Sequence, residues 1–131
     1  MASLGATSTS NADIERGPAP GPGRANWVKH NGLVWTVGFP KGKSDGDDVT
    51  EQTRLTLACL DERLAGAGTD KSRVLEATVF LQNIEDKEAM DAVWRAWLPE
   101  GGGASRATVS VQLAHGQLIE IKVLAAAAQA P

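Results

Sequence analysis

The sequence predicts an α+β domain in which two helices pack on one face of a β-sheet. Three observations predict it. An Asn-Gly pair sits between two runs of strand-forming residues. Two later stretches place apolar residues at helical spacing. The segments flanking the second of those stretches are rich in β-formers with alternating polarity. The element order is β-β-α-β-α-β-β, with room for a short extra strand near the N-terminus.

In NWVKHNGLVWTVGF, Asn31-Gly32 favours a two-residue type I′ turn, whose twist suits a hairpin. That turn pairs His30 with Leu33, Val28 with Trp35 and Asn26 with Val37. One face then carries Val28, Leu33, Trp35 and Val37; the other carries Trp27, Val34 and Thr36, with Lys29. After the polar loop PKGKSDGDD, the stretch DDVTEQTRLTLACLDERLAGAG reads as a helix. Asp48 with Glu51 three residues on resembles a capping box. Val49, Thr53, Leu57, Leu60 and Leu64 form its stripe, and Gly66 and Gly68 end it.

RVLEATVFLQNI is a strand with Leu75, Ala77, Val79 and Leu81 on one face. EDKEAMDAVWRAWL is a second helix, capped by Asp86, with Met90, Val93, Trp94, Trp97 and Leu98 as its apolar stripe. Pro99 and EGGG stop it. SRATVSVQLAHGQLIEIKVLA supplies the last two strands. Two helices cover one sheet face and leave nothing in the chain for the other. Apolar residues on both faces of the hairpin therefore predict self-association in a closed symmetric arrangement.

Composition narrows the function classes. The 131 residues amount to one domain, with residues 26–127 as its body. Residues 1–25, rich in Ala, Ser, Gly and Pro, are expected to be a flexible tail, as are residues 128–131. The Ser/Thr-rich start resembles a transit peptide, but Asp13 and Glu15 precede the first basic residue, Arg16, which argues against targeting. A formal net charge of −3 disfavours nucleic acid as a partner. No apolar run is long enough to cross a membrane. The single cysteine, Cys59, excludes an intrachain disulfide and fits a reducing, cytoplasmic setting. Among leucines it reads as a buried inert thiol. His30 and His115 read as surface turn residues, and no metal site is expected.

Two charges in the last stretch stand out. Arg106, Thr108, Ser110 and Gln112 share one strand face; Leu118, Glu120, Lys122 and Leu124 share one face of the next strand. If the two strands are neighbours, a two-residue His115-Gly116 turn sets Glu120 opposite Val111. A three-residue Ala114-His115-Gly116 loop sets it opposite Ser110, which matches the polar faces and is the preferred register. A third strand between them is the open alternative. Such polar faces are ordinarily wet, but one that meets another subunit can line a cleft.

GLVWTVGF, EQTRLTLACLDERLAGAGTDKSRVLEATVFLQNIEDKEAMDAVWRAWL, SRATVSVQL and IEIKVLA together resemble the Rid family, the reactive intermediate deaminases of YjgF or L-PSP type, and most of all its YoaB-like branch. The resemblance runs from about Trp27 to Ala126. It implies a chorismate-mutase-like mixed sheet and a homotrimer with sites between subunits. It also implies cofactor-free hydrolysis of enamine and imine intermediates, of the 2-aminoacrylate or 2-aminocrotonate type, to 2-oxo acids and ammonia. Arg106 is then the clamp for the carboxylate of the imino acid, a task that suits a planar, permanently charged guanidinium. Glu120 positions the attacking water, and Gly38 lines the pocket by close backbone approach.

The chain departs from the family pattern at several of these positions. Thr108 replaces a frequent cysteine, Val37 a serine, and Asp91 an asparagine of the second helix, while Phe39 follows the strand glycine. Phe39, Asp91 and Thr108 complete the expected substrate-binding set. A tyrosine common near the N-terminus has no secure match; Arg24 lies nearby. The lost hydroxyl and the added phenyl ring favour a larger, more apolar side chain on the substrate. The alternative function is a non-catalytic trimer that binds a small ligand or acts as a chaperone. RNA cleavage is disfavoured by the acidic charge balance.

Overall fold

The computed structural model describes residues 13–128, so residues 1–12 and 129–131, where much of both expected tails falls, lie outside it. Strands β1 (Glu15–Arg16), β2 (Trp27–His30) and β3 (Leu33–Gly38) precede helix α1 (Val49–Gly66). Strand β4 (Val74–Leu81), helix α2 (Lys87–Trp97), β5 (Ser105–Ser110) and β6 (Ile119–Ala126) follow. One six-stranded sheet has the order β1-β2-β3-β6-β4-β5. The β4–β5 pair is parallel and the others antiparallel, which makes the sheet mixed.

The hairpin forms as its turn chemistry requires. Asn31 and Gly32 both have positive φ, 52° and 77°, and His30–Leu33 and Val28–Trp35 pair across β2 and β3. The short extra strand is β1, which pairs Glu15 with Lys29. Beyond it, Gly17 N donates to Trp27 O at 3.0 Å and Asn26 N to Pro18 O at 2.8 Å. From Asp13 to Ala25 the segment expected to be a tail is thus partly tied to the sheet, because its backbone finds an open edge of β2.

Helix α1 starts at Asp48, whose side chain accepts from Glu51 N at 2.9 Å. The Glu51 carboxylate turns to Arg54 rather than back to the cap, so only half of the capping box forms. The neighbouring Gln52 is buried and bridges two loops. Its Nε2 donates to Asp47 O at 3.2 Å and its Oε1 accepts from Leu118 N at 2.8 Å, just before β6 begins. Helix α2 is entered from a 3₁₀ turn, Ile84–Asp86, and Asp86 makes no side-chain cap bond. Met90, Trp94 and Trp97 are buried, with Val93 and Leu98 packed at the margin. No helix of the described residues is long and apolar enough to cross a membrane.

The core lies between the helices and one sheet face. It contains Trp27 and Val34, the β4 residues Ala77, Val79 and Leu81, and Ile119, Ile121, Val123 and Ala125 of β6. Leu75 does not join them. The register shifts between Val74 and Glu76, so Val74 turns inward and Leu75 is left 48% exposed. Among the described residues no helix covers the opposite face, where Val28, Leu33, Trp35, Val37 and Leu124 are only half-buried and Val109 is exposed.

The last two strands are not neighbours. A strand that runs parallel to its predecessor needs a crossover, and α2 supplies it, carrying β5 to the outer side of β4. Strand β6 returns to the slot between β3 and β4. Its alternate residues Ile119, Ile121, Val123 and Ala125 are apolar and buried, which suits the centre of the sheet. The loop between them contains a tight turn at His115-Gly116, with φ of 60° and 69°, closed by Gln117 N donating to Ala114 O at 3.1 Å. The turn is thus the two-residue kind, but it closes no hairpin.

Gly38 sits where β3 passes under α1. A Cβ there would lie 2.8 Å from the Thr56 carbonyl oxygen and 2.6 Å from Leu60 Cγ. Gly38→Ala should therefore push α1 off the sheet and destabilise the fold by about 1–3 kcal/mol. The check is urea denaturation, with a lowered midpoint and an unchanged slope.

Candidate functional site

Strand parity decides which side chains can meet. Odd residues of β6 are buried under the helices, so Glu120 and Lys122 face the uncovered side. There they line a cleft of about 630 Å³ with Arg24, Val37, Phe39, Arg63, His115 and Gln117, among others. The β3 end supplies Val37 and Phe39, the tight turn before β6 supplies His115, and the segment before β2 supplies Arg24.

Arg63 comes from the last turn of α1 and is only 7% exposed. Its Nη1 donates to Val37 O at 2.9 Å, and its guanidinium carbon lies 5.2 Å from the centre of the Phe39 ring. Glu120 is the cleft's one carboxylate among the described residues; Arg24, Arg63 and Lys122 are its permanent cations.

Arg106 is on the other side of the sheet. It pairs in register with Ala77, whose side chain is in the core, and so points under α2. Its Nη2 donates to Asp91 Oδ1 at 2.5 Å, and its guanidinium carbon lies 5.4 Å from the centre of the Trp94 ring. Asp91 also accepts from Lys87 Nζ at 2.8 Å. Burial alone would push the Asp91 carboxyl up, but hydrogen bonds and charge from Lys87 and Arg106 outweigh it and hold its pKa below the ordinary carboxylate value. Thr108 follows on the same face as Arg106, half-buried.

The expected site residues thus fall into two groups. Arg106, Asp91 and Thr108 lie on the helix side; Glu120 and Phe39 lie in the cleft on the open side. The polar-face match of Arg106 with Glu120 does not hold within one chain, because β4 separates the strands and they do not share a face. The close approach at Gly38 is to α1 rather than to the cleft.

The remaining candidates are structural or peripheral. Cys59 is buried and free. His30 Nδ1 lies 3.6 Å from Asp13 Oδ2 on the surface. Trp94 and Trp97 pack on each other with ring centres 5.5 Å apart. Among the described residues no cluster of His, Cys, Asp or Glu has metal-binding proximity. Sequence reasoning missed Arg63 and left His115 as a bland turn residue. A signal for Arg63 existed: it lies three residues after Leu60 and next to Leu64, a charged residue set on an otherwise apolar stripe.

A family model described as Endoribonuclease L-PSP matches residues 22–127. The chain is 38% identical over 106 residues to the RutC family protein YoaB of Escherichia coli strain K12, covering 78% of this chain and 91% of that protein. A crystal structure of a YjgF family member from Neisseria meningitidis matches with a TM-score of 0.83 at 34% identity, over 90% of this chain and 98% of that one. The Rid family protein YyfA of Yersinia pestis matches with a TM-score of 0.77 at 27% identity, over 85% and 93% of the two chains.

The Asp91 carboxylate gives a pH test of the helix-side group. Its folded pKa is lowered, so the ion pair's contribution is full above the unfolded value and is lost as pH falls through the folded one. At pH 7 Asp91→Asn should cost on the order of 1 kcal/mol of stability. That gap should close as pH drops below about 4, as read by chemical denaturation of both proteins across the range.

Proposed function

The chain belongs to the L-PSP family, whose members include the YjgF and Rid proteins, and on that premise we propose that it hydrolyses reactive enamine and imine intermediates to 2-oxo acids and ammonia. The observation that carries the reading is Glu120, a lone carboxylate in a cleft walled otherwise by cations, apolar groups, His115 and Gln117. An imine carbon bonded to a carboxylate is attacked by water. Glu120 takes a proton from that water as the C–O bond forms and the C=N π electrons move to nitrogen. The tetrahedral carbinolamine then collapses: the nitrogen, protonated in turn, leaves as ammonia with the C–N bonding pair, and the carbonyl forms. An enamine enters by first tautomerising to the imine.

The carboxylate clamp in this reading is Arg106. Because Arg106 and Glu120 lie on opposite sides of the sheet, a complete site takes Arg106 from one chain and Glu120 from another. Strand β5 is at the sheet edge, and the open face is apolar around the cleft, which supports assembly through that face. A homotrimer of chorismate-mutase-like form, with three inter-subunit clefts, satisfies both conditions. Phe39, Asp91 and Thr108 would border the bound imine, with Gly38 seating β3 under α1 beside them. A cytoplasmic setting is part of the reading, and it suits the unpaired Cys59.

One observation favours a second reading. Asp91 already pairs with the Arg106 guanidinium, so that cation is less free to clamp a substrate carboxylate, which would suit a non-catalytic protein whose small ligand is held in the cleft instead. The name of the family model also speaks of RNA cleavage, but a net charge of −3 gives little affinity for a polyanion.

The test generates 2-aminoacrylate or 2-aminocrotonate with a dehydratase and times 2-oxo acid release. The protein should accelerate it, with kcat/KM falling roughly a hundredfold in Arg106→Ala and about 10²- to 10⁴-fold in Glu120→Gln. No acceleration, or full activity in Arg106→Ala, sinks the proposal; ligand binding without turnover selects the second reading. Light scattering should give three times the 13.7 kDa chain mass, and a monomer would remove the shared site.

A further inference from the structure

The cleft around Glu120 has more positive charge than one carboxylate balances. Arg24, Arg63 and Lys122 all line it. Among the described residues none of the three is in an ion pair; elsewhere Lys29, Lys41, Arg54, Lys87 and Arg106 each have a carboxylate partner, while Arg16, Lys43, Lys71, Arg73 and Arg95 have none but do not gather in one cleft. The residues outside the described span contain no acidic side chain to supply one.

Arg63 is the sharper anomaly. It is 7% exposed, and its acceptor among the described residues is the single Val37 carbonyl. A guanidinium has five N–H donors, and a buried charge so thinly compensated is costly. Phe39 offsets some of that cost with its ring face, 5.2 Å away. The ring therefore presents a cation to the cleft, contrary to the apolar pocket its sequence position implies. Arg24 also lines the cleft, with its guanidinium folded over Gly21, where a Cβ would lie 2.3 Å from Nη2.

We propose that the cleft selects imino acids carrying a second carboxylate on the side chain, with Arg24, Arg63 and Lys122 as the subsite that holds it. This rests on the deaminase reading for its reacting end and adds the substrate class. The planar forks of two arginines suit a carboxylate better than a neutral amide or alkyl group. The volume of about 630 Å³ is ample for a four- or five-carbon diacid. The class of reaction that supplies such an imine is two-electron oxidation of an acidic amino acid at its α-carbon, by an oxidase or dehydrogenase that passes the electrons to its own cofactor.

The experiment makes 2-iminosuccinate and 2-iminoglutarate with amino-acid oxidases acting on aspartate and glutamate. It makes 2-iminobutanoate and 2-imino-4-methylpentanoate from the neutral amino acids. Semicarbazone formation, which hydrolysis of the imine suppresses, reports turnover. The diacids should be preferred in kcat/KM by roughly ten- to a hundredfold. Arg24→Gln and Lys122→Gln should each lower that ratio severalfold to tenfold, and added salt should lower it further. Arg63→Lys is the probe of the buried position, and its folding is checked by circular dichroism. A ratio at or below one, or a ratio unchanged in Arg24→Gln, overturns the proposal while leaving the deaminase reading intact. If no imine is turned over, that reading falls. Calorimetry with 2-oxoglutarate against 2-oxobutanoate then decides the subsite alone: preference for the diacid upholds it, and equal or no binding removes it.

Discussion

Strand β6 lies between β3 and β4, and the geometry of the candidate site depends on that slot. Both of its edges are paired, and Ile119, Ile121, Val123 and Ala125 are at most 1% exposed. With side chains alternating along a strand, Glu120 and Lys122 have no choice but the open side. A one-residue slip would bury both charges under the helices without partners, at a cost of several kcal/mol per ion. The buried amide of Gln52 adds a second lock by bonding Leu118 N at the entry to the strand. The same alternation, passed through β4, turns Arg106 the other way.

Much of this was legible in the sequence because it is local. The Asn31-Gly32 turn, the faces of the hairpin, the stripe of α2 and the Asp48 cap all depend on residues within a few positions of one another. Strand order depends on contacts that close late in the chain, and nothing local says that β6 will enter beside β3 rather than beside β5. Matching the polar faces of the last two strands therefore assumed a neighbour relation that the α2 crossover removes. Leu75 was misplaced for a similar reason: a bulge flips parity for the residues on one side of it, and alternation alone cannot locate it. Arg106 and Glu120 stood out as charges on strands, with roles implied by the resemblance alone, whereas Arg63 was hidden in a helical stripe and Arg24 in a stretch without periodicity.

The two sides of the sheet also differ electrostatically. On the helix side, Arg106, Asp91 and Lys87 form a closed set in which the carboxylate is shared by two cations. In the cleft, three cations face one carboxylate without ion pairs among the described residues. Charges satisfied within the chain hold structure together; charges left unsatisfied in a concave site are available to a ligand. Both sides keep an excess of positive charge, and the cleft keeps the larger one.

The contact between Asp91 and Arg106 has a further consequence. If Arg106 is the clamp proposed above, an arriving carboxylate would not meet a vacant cation; it would compete with Asp91 for it. Its affinity there is a small difference between two similar contacts, so occupancy is set by competition rather than by the strength of the guanidinium grip. The outgoing product would face the same rival. Under the proposed function, Asp91 would then act as an internal leaving aid, one that weakens retention at Arg106 and favours rapid exchange over tight holding.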